Sequence, residues 1–304
     1  MPNILLRSPY YIYETQAGAS YATLELSIGG TLRYTISKDV DSSEGALFEI
    51  SELARDYLDI SFSGSYSSQV AAITGEVTFY DDSDVQVGLT INISHKGFDG
   101  YGKFLDGASP TIGSGRLLQS NTTVYYPDNT SGRVAVESLG TVSYVSFSAS
   151  ATSVTAGSHT VYIERVCEPK YTPVKLTFVN KFGVLQDLYF FKKSVESVSS
   201  QKENYKRSLI NSTGVYSTSS HSKRILTNQG KTSQVLNSGY LSEAMNEVFE
   251  ELLLSEQVWA TINTDIIPVD VTTSQLTYKT SVNDRLVDYT INIEYAFDLI
   301  NDLR

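Results

Sequence analysis

The feature that most constrains this chain is a long succession of short β-prone runs, each closed by glycine or a polar cluster. SPYYIYE from Ser8, YATLELSI from Tyr21, LRYTIS from Leu32, ITGEVTFYDD from Ile73 and QVGLTINIS from Gln86 come first. TVYYP from Thr123, GRVAVES from Gly132, TVSYVSFSA from Thr141 and HTVYIERV from His159 continue the series. They are rich in β-branched and aromatic residues, the composition of strands. Short strands at this spacing, with turn signals such as Asp81-Asp82-Ser83-Asp84 between them, build sandwiches or barrels. One interruption is LFEISELARDYLDISF from Leu47. It starts as a strand and turns helical after the N-cap candidate Ser51, with Leu53, Tyr57 and Leu58 as a short apolar stripe.

A boundary is expected at Cys167-Glu168-Pro169-Lys170, because Pro169 and Pro173 interrupt any strand that would cross it. The reading is therefore a β-sandwich region over 1–168 and an α+β unit over 169–304. In the second unit, LSEAMNEVFEELLLSE predicts a helix at about 241–256. Leu241, Met245, Val248, Phe249, Leu252 and Leu253 fall on one face, with Glu243, Glu247, Glu250 and Glu251 opposite. QVWATI, PVDVTT, QLTYKT and VDYTINIEYAF surround it as strands, so the helix should pack on a sheet. The stretch between 194 and 234 reads as polar and without deep apolar signals.

VKLTFVNKFGVLQDLYFFKK, from Val174, reads as a hairpin turning at Asn180-Lys181-Phe182-Gly183. Before the turn the apolar residues alternate; after it, through 184–191, they do not. A strand that is apolar on both faces must be covered twice. The helix supplies one cover, and a second subunit is the expected other. Leu185, Leu188, Tyr189, Phe190 and Phe191 are thus interface candidates, since soluble monomers rarely leave so large an apolar patch open.

Composition narrows the partners. A formal charge of −11 and a pI near 4.8 argue against nucleic acid or anionic membrane as primary partner, because both select for basic patches. Twenty-one tyrosines against one tryptophan suit strand surfaces and protein–protein contacts. Cys167 stands alone, so neither an intrachain disulfide nor a cysteine-based zinc site is expected. The N-terminal segment lacks the pattern of a signal peptide, and no window of ~18 apolar residues is present. A soluble chain made in a reducing cytoplasm, without membrane insertion, is the expectation.

No motif for chemistry is complete. GKTS at Gly230 lacks the earlier glycine of a phosphate loop, since that position is Ile225. DVDSSEG at Asp39 has its glycine one place late for a calcium loop and lacks the closing glutamate. His95, His159 and His221 form no paired metal-ligand spacing, and Ser114 in IGSGR lacks the nucleophile-elbow pattern. No cofactor or metal is expected. The long Gly-rich loop HKGFDGYGKFLDGASPTIGSGR is the remaining candidate, because loops of this length usually carry function or an interface. It supplies Phe98, Tyr101 and Phe104 as interface candidates. Asp99 and Asp106 beside them are the only carboxylates placed for acid–base work on a glycan.

FEISELARDYL, FDGYGKFLDG, KLTFVNKFGVLQDLYFFKK and VDYTINIEYAFDLIN resemble segments of uncharacterised virion proteins of tailed bacteriophages, especially those infecting Bacteroidota. The resemblance implies an N-terminal immunoglobulin- or fibronectin-like sandwich. It also implies a C-terminal unit similar in outline to the fold shared by tail-tube, distal-tail and neck proteins. It further implies a non-enzymatic structural subunit, assembled in the host cytoplasm into the virion. Such a subunit would form a homo-oligomeric ring at the tail tip, baseplate or neck and contact other tail proteins. The rival readings are a receptor-binding adhesin that stacks host glycan on the Phe98–Phe104 aromatics and, from a different class, a polysaccharide hydrolase using Asp99 and Asp106.

Overall fold

The computed structural model describes residues 2–41, 45–67, 70–168, 170–278 and 286–300. Strand accounts for 52% of the described residues and helix for 7%, which makes the protein mainly β. The DVDSSEG cluster lies partly outside the described residues, at 42–44.

The first sheet has six strands in the order Thr31–Asp39, Tyr21–Ile28, Val70–Tyr80, Gln86–Phe98, Asn3–Leu5, Thr111–Ile112. In YATLELSI every second residue, Ala22, Leu24, Leu26 and Ile28, points inward. Ile73, Val77 and Phe79 join them from the neighbouring strand. A two-stranded sheet, Tyr11–Thr15 with Gly45–Glu49, brings Ile12, Ala46 and Phe48 onto the same core, and the short helix Ser51–Arg55 adds Ala54. A second core lies further along the same expected region. There the hairpin Gly132–Ser138/Thr141–Phe147 faces a three-stranded sheet of Ser153–Ala156, His159–Val166 and Thr123–Pro127 across Tyr126, Val134, Phe147 and Val161. Glu137, almost fully buried, ties this unit to the first sheet by accepting from Asn3 Nδ2 at 3.0 Å and from the Gly140 amide at 2.6 Å. Those donors hold its carboxyl below the usual range, against the effect of burial.

The C-terminal sheet is antiparallel, with the order Leu185–Phe190, Val174–Val179, Val258–Ile262, Asp265–Val271, Thr290–Tyr295, Lys223–Asn237, Val195–Lys206. Among the described residues, no ladder joins a strand before residue 167 to one after it. Side-chain packing does cross that point: Leu5, Phe98, Leu118, Val142, Phe182 and Val184 share one cluster.

The helix packs its Val248, Phe249 and Leu252 on this sheet, as its apolar stripe requires. Its extent differs from the expected 241–256. Leu241–Ser242 is a short strand paired with Val287 and Leu286, Glu243–Met245 is a 3₁₀ turn, and the α-helix is Asn246–Leu253. The reason is tertiary: the Ser242 amide donates to the Tyr125 hydroxyl, and pairing holds its backbone extended at φ −71°, ψ 154°. Both interactions outweigh helix propensity at that end.

The hairpin 174–191 is the largest correction. Leu185, Leu188, Phe190 and Phe191 are all at most 5% exposed within the single chain, and Tyr189 is half-buried. One face meets the helix, with the Phe190 and Phe249 rings edge to face at 6.1 Å. The other meets the chain's own second unit: Tyr189 lies 5.0 Å from the Tyr126 ring, and the Leu185 amide donates to the Tyr144 hydroxyl at 3.1 Å. The strand is two-sided because the 117–166 unit covers its second face, and a second subunit is not required there. Asn180 sets the turn. It is fully buried, donates to the Leu118 carbonyl and Gln186 Oε1, and accepts from the Phe182 amide at 3.0 Å.

Candidate functional site: two exposed surfaces

With the apolar hairpin assigned to the interior, two surfaces remain. The first is the loop after Phe98. Phe98 itself is fully buried and Tyr101 is half-buried, its ring 5.2 Å below the Arg7 guanidinium. Phe98 is thus not free to form an interface, which corrects that expected position, and Tyr101 keeps only a partly exposed face. The loop is pinned at its root by the buried turn: the Tyr101 amide donates to the Lys181 carbonyl at 2.8 Å. A Cβ on Gly183, at φ +75°, would sit 2.6 Å from the Asp99 backbone, so only glycine permits this approach. Beyond the root, Asp106 accepts from the Lys103 amide at 2.7 Å and closes a single 3₁₀ turn, Phe104–Asp106. That turn holds Phe104 at 97% and Leu105 at 93% exposure. Exposing two adjacent large apolar side chains on an anchored loop is costly unless something covers them.

Beside this fingertip is a cavity of about 420 Å³ lined chiefly by Pro9, Tyr11, Phe104, Ala108, Ser109 and Pro110. The bases around it are committed to carboxylates. Arg7 pairs with Glu256 at 3.1 Å, Arg55 with Asp99 at 2.9 Å and also with Glu256, and Lys103 with Glu250 at 2.9 Å. Glu49 and Glu52 line the adjoining groove, which shares Ser8, Pro9 and Tyr11 with the cavity. Neither Asp99 nor Asp106 lines the cavity. Asp99 is held by Arg55 and largely buried, and burial pushes its carboxyl up against the pull of that cation.

The second surface was missed by the sequence reading. Val195–Lys206 and Lys223–Asn237 form a hairpin whose ladder outruns the sheet. Past Gly230, where Leu299 still covers it, the pairs Gln201–Gln229 through Lys206–Lys223 continue. At ~3.3 Å per residue, these six pairs make a free ribbon of about 20 Å. Every residue from 195 to 229 is exposed except half-buried Leu209. The tip is a closed turn: Asn211 Oδ1 accepts from the Thr213 and Val215 amides, both at 3.0 Å. It carries Ile210, Val215 and Tyr216, each at least 60% exposed.

Charge sets this arm apart. Residues 201–229 hold five bases (Lys202, Lys206, Arg207, Lys223, Arg224) and one acid, Glu203, a net of +4. The whole chain is −11, so the rest carries −15. Lys206 and Lys223 are direct cross-strand partners, with Arg207 and Arg224 adjacent, and like charges placed so destabilise a ribbon. The sequence signal that could have revealed the arm is this local reversal of charge inside an acidic chain.

Elsewhere, His95 is buried, edge-on to Tyr10 at 5.2 Å, and burial lowers its pKa. Among the described residues no group of three or more His, Cys, Asp or Glu could hold a metal ion, and no helix is long and apolar enough to cross a membrane. Comparison with known proteins returns no matching family model, no matching curated protein and no matching solved structure.

Proposed function

We propose that the protein is a non-enzymatic structural subunit of a tailed-phage particle, assembled in the host cytoplasm into a ring at the tail tip, baseplate or neck. The observation that carries this reading is the arm. A two-stranded ribbon standing clear of its own core is marginal in water. It repels itself electrostatically and presents six large apolar side chains, from Tyr205 to Leu226, to solvent. Such an element gains its stability from a neighbour, and identical subunits supply one by symmetry. The interface thus moves from the 185–191 strand, expected from sequence, to the opposite edge of the same sheet.

The test is to replace residues 201–229 by an Asn-Gly turn joining Ser200 to Gly230, which are cross-strand partners. Sedimentation of the full chain should show a large species and that of the shortened chain only monomer, with the same circular dichroism per residue in the core. A wild-type chain that stays monomeric at all concentrations overturns the reading. The adhesin reading has one observation in its favour, the exposed Phe104 beside a cavity. It requires glycan binding that Phe104→Ala abolishes while assembly is untouched.

A further inference from the structure

We propose that the arm tip of one copy seats in the Phe104 cavity of the next, an inference that rests on the ring reading and names its contact. In the single chain both halves are open: Ile210, Val215 and Tyr216 project from the tip, and Phe104 and Leu105 stand beside an empty-walled hollow of about 420 Å³. A cavity of that size accommodates one or two large side chains. Its apolar wall of Pro9, Tyr11, Ala108 and Pro110 matches the apolar tip.

Charge at the two halves is complementary. Lys206, Arg207, Lys223 and Arg224 sit just behind the tip, where they would meet the rim of the receiving cavity. At that rim, Glu49 and Glu52 line the adjoining groove and Asp106 closes the fingertip turn, while Arg7, Arg55 and Lys103 are already paired with carboxylates. A +4 arm is attracted to any −15 body, and because its ladder projects past its own sheet, the acidic surface it can meet is that of another copy. Knob and hollow are formed by different residues, so the contact is heterologous, the kind that makes a ring when its rotation closes and an open filament when it does not.

The test uses two full-length variants. Ile210→Asp with Val215→Asp disables the knob, and Ala108→Trp fills the hollow; all three positions are exposed, so the fold should be retained. Each variant alone should sediment as monomer. Mixed at equal amounts, they should form a species of twice the 33.5 kDa chain mass that grows no further, because each retains one working half. Separately, in a Cys167→Ser background, Ile210→Cys with Ala108→Cys should give disulfide-linked oligomers when oxidised with copper phenanthroline. If wild type assembles and both variants assemble equally well, the seating is wrong while the ring reading stands. If wild type never assembles, both fall. Wild-type binding to a DNA duplex, lost on Lys206→Glu with Arg207→Glu while assembly persists, would make the arm a nucleic-acid element and overturn the proposal.

Discussion

The seven-stranded sheet ends in two hairpins of opposite character. At one edge, Leu185–Phe190 carries large apolar side chains on both faces, and the chain's own residues cover them on both. At the other, Val195–Lys206 is polar, basic nearby and exposed along its whole length. Edge strands are the natural place for one chain to meet another, and the apolar one is the more obvious candidate. It is the wrong one. Apolarity on two faces says that two things cover a strand, and here both belong to the same chain. Past Gly230 the polar hairpin has no covering layer among the described residues.

The comparison breaks most sharply under substitution in the buried hairpin. Leu188 is 3% exposed and touches the helix-side core. Leu188→Asp removes that packing and places a carboxylate inside an apolar cluster. Loss of packing and an unpaired buried charge together cost on the order of 5 kcal/mol or more, so the chain should fail to fold rather than fail to assemble. Phe249→Ala, against the same strand from the helix side, should cost about 3–5 kcal/mol in urea denaturation. Wild-type stability in either variant would show that the hairpin is not held as described.

How much of this was legible in sequence depends on what each signal reports. Period-2 alternation reports a half-buried strand, and the inward Ala22, Leu24, Leu26 and Ile28 follow it closely. The loss of alternation at 184–191 correctly demanded a second cover, but periodicity does not say which chain provides it. Tyr126 and Tyr144, which form that cover, are far away in sequence and carry no local mark of the pairing. The start of the helix was misplaced for a similar reason, since Ser242 is held extended by Tyr125 and by the strand at Val287. The Gly-rich loop was found as a feature, yet only Phe104 of its three aromatics faces solvent. The arm went unread because its strands lack a buried face and therefore lack alternation altogether. Its charge was the available signal.

The turn of the buried hairpin also gives the comparison a pH dependence. Glu251 is 2% exposed; one oxygen accepts from the Ser120 hydroxyl and Oε2 has no hydrogen-bond partner among the described residues. Burial pushes its carboxyl up to about 7, with Glu247 adding to the rise and Ser120 and Lys181 opposing it. The folded chain therefore holds this proton more tightly than the unfolded one, whose carboxyl titrates near 4.5. The contribution of this group is fully present below about pH 4.5 and is lost as pH rises toward about 7, then stays flat. A shift of that size corresponds to on the order of 3 kcal/mol. Glu251→Gln should remove this slope from a plot of stability against pH. An unchanged slope would mean that Glu251 is solvated and that the junction between the helix and the Lys181 turn is loose.

The smallest effect is expected in the arm, and it is the most direct contrast with the apolar edge. The ladder from Gln201 to Lys206 has cross-strand hydrogen bonds but no core beneath it. Local opening there exposes almost nothing that was buried, so its free energy should be close to zero, whereas opening at 185–190 exposes the main core. In the isolated monomer, amides of 201–206 and 223–229 should exchange within seconds while those of 185–190 remain protected. Val198→Ala or Tyr205→Ala should alter stability by no more than about 0.5 kcal/mol, as substitutions on an exposed surface usually do. Assembly should slow exchange in the arm and in the Phe104 loop that receives it, because each is then covered by a neighbour. Arm amides as protected in the monomer as those of the buried hairpin would mean that the arm folds back on its own chain, and the two edges of the sheet would no longer differ in kind.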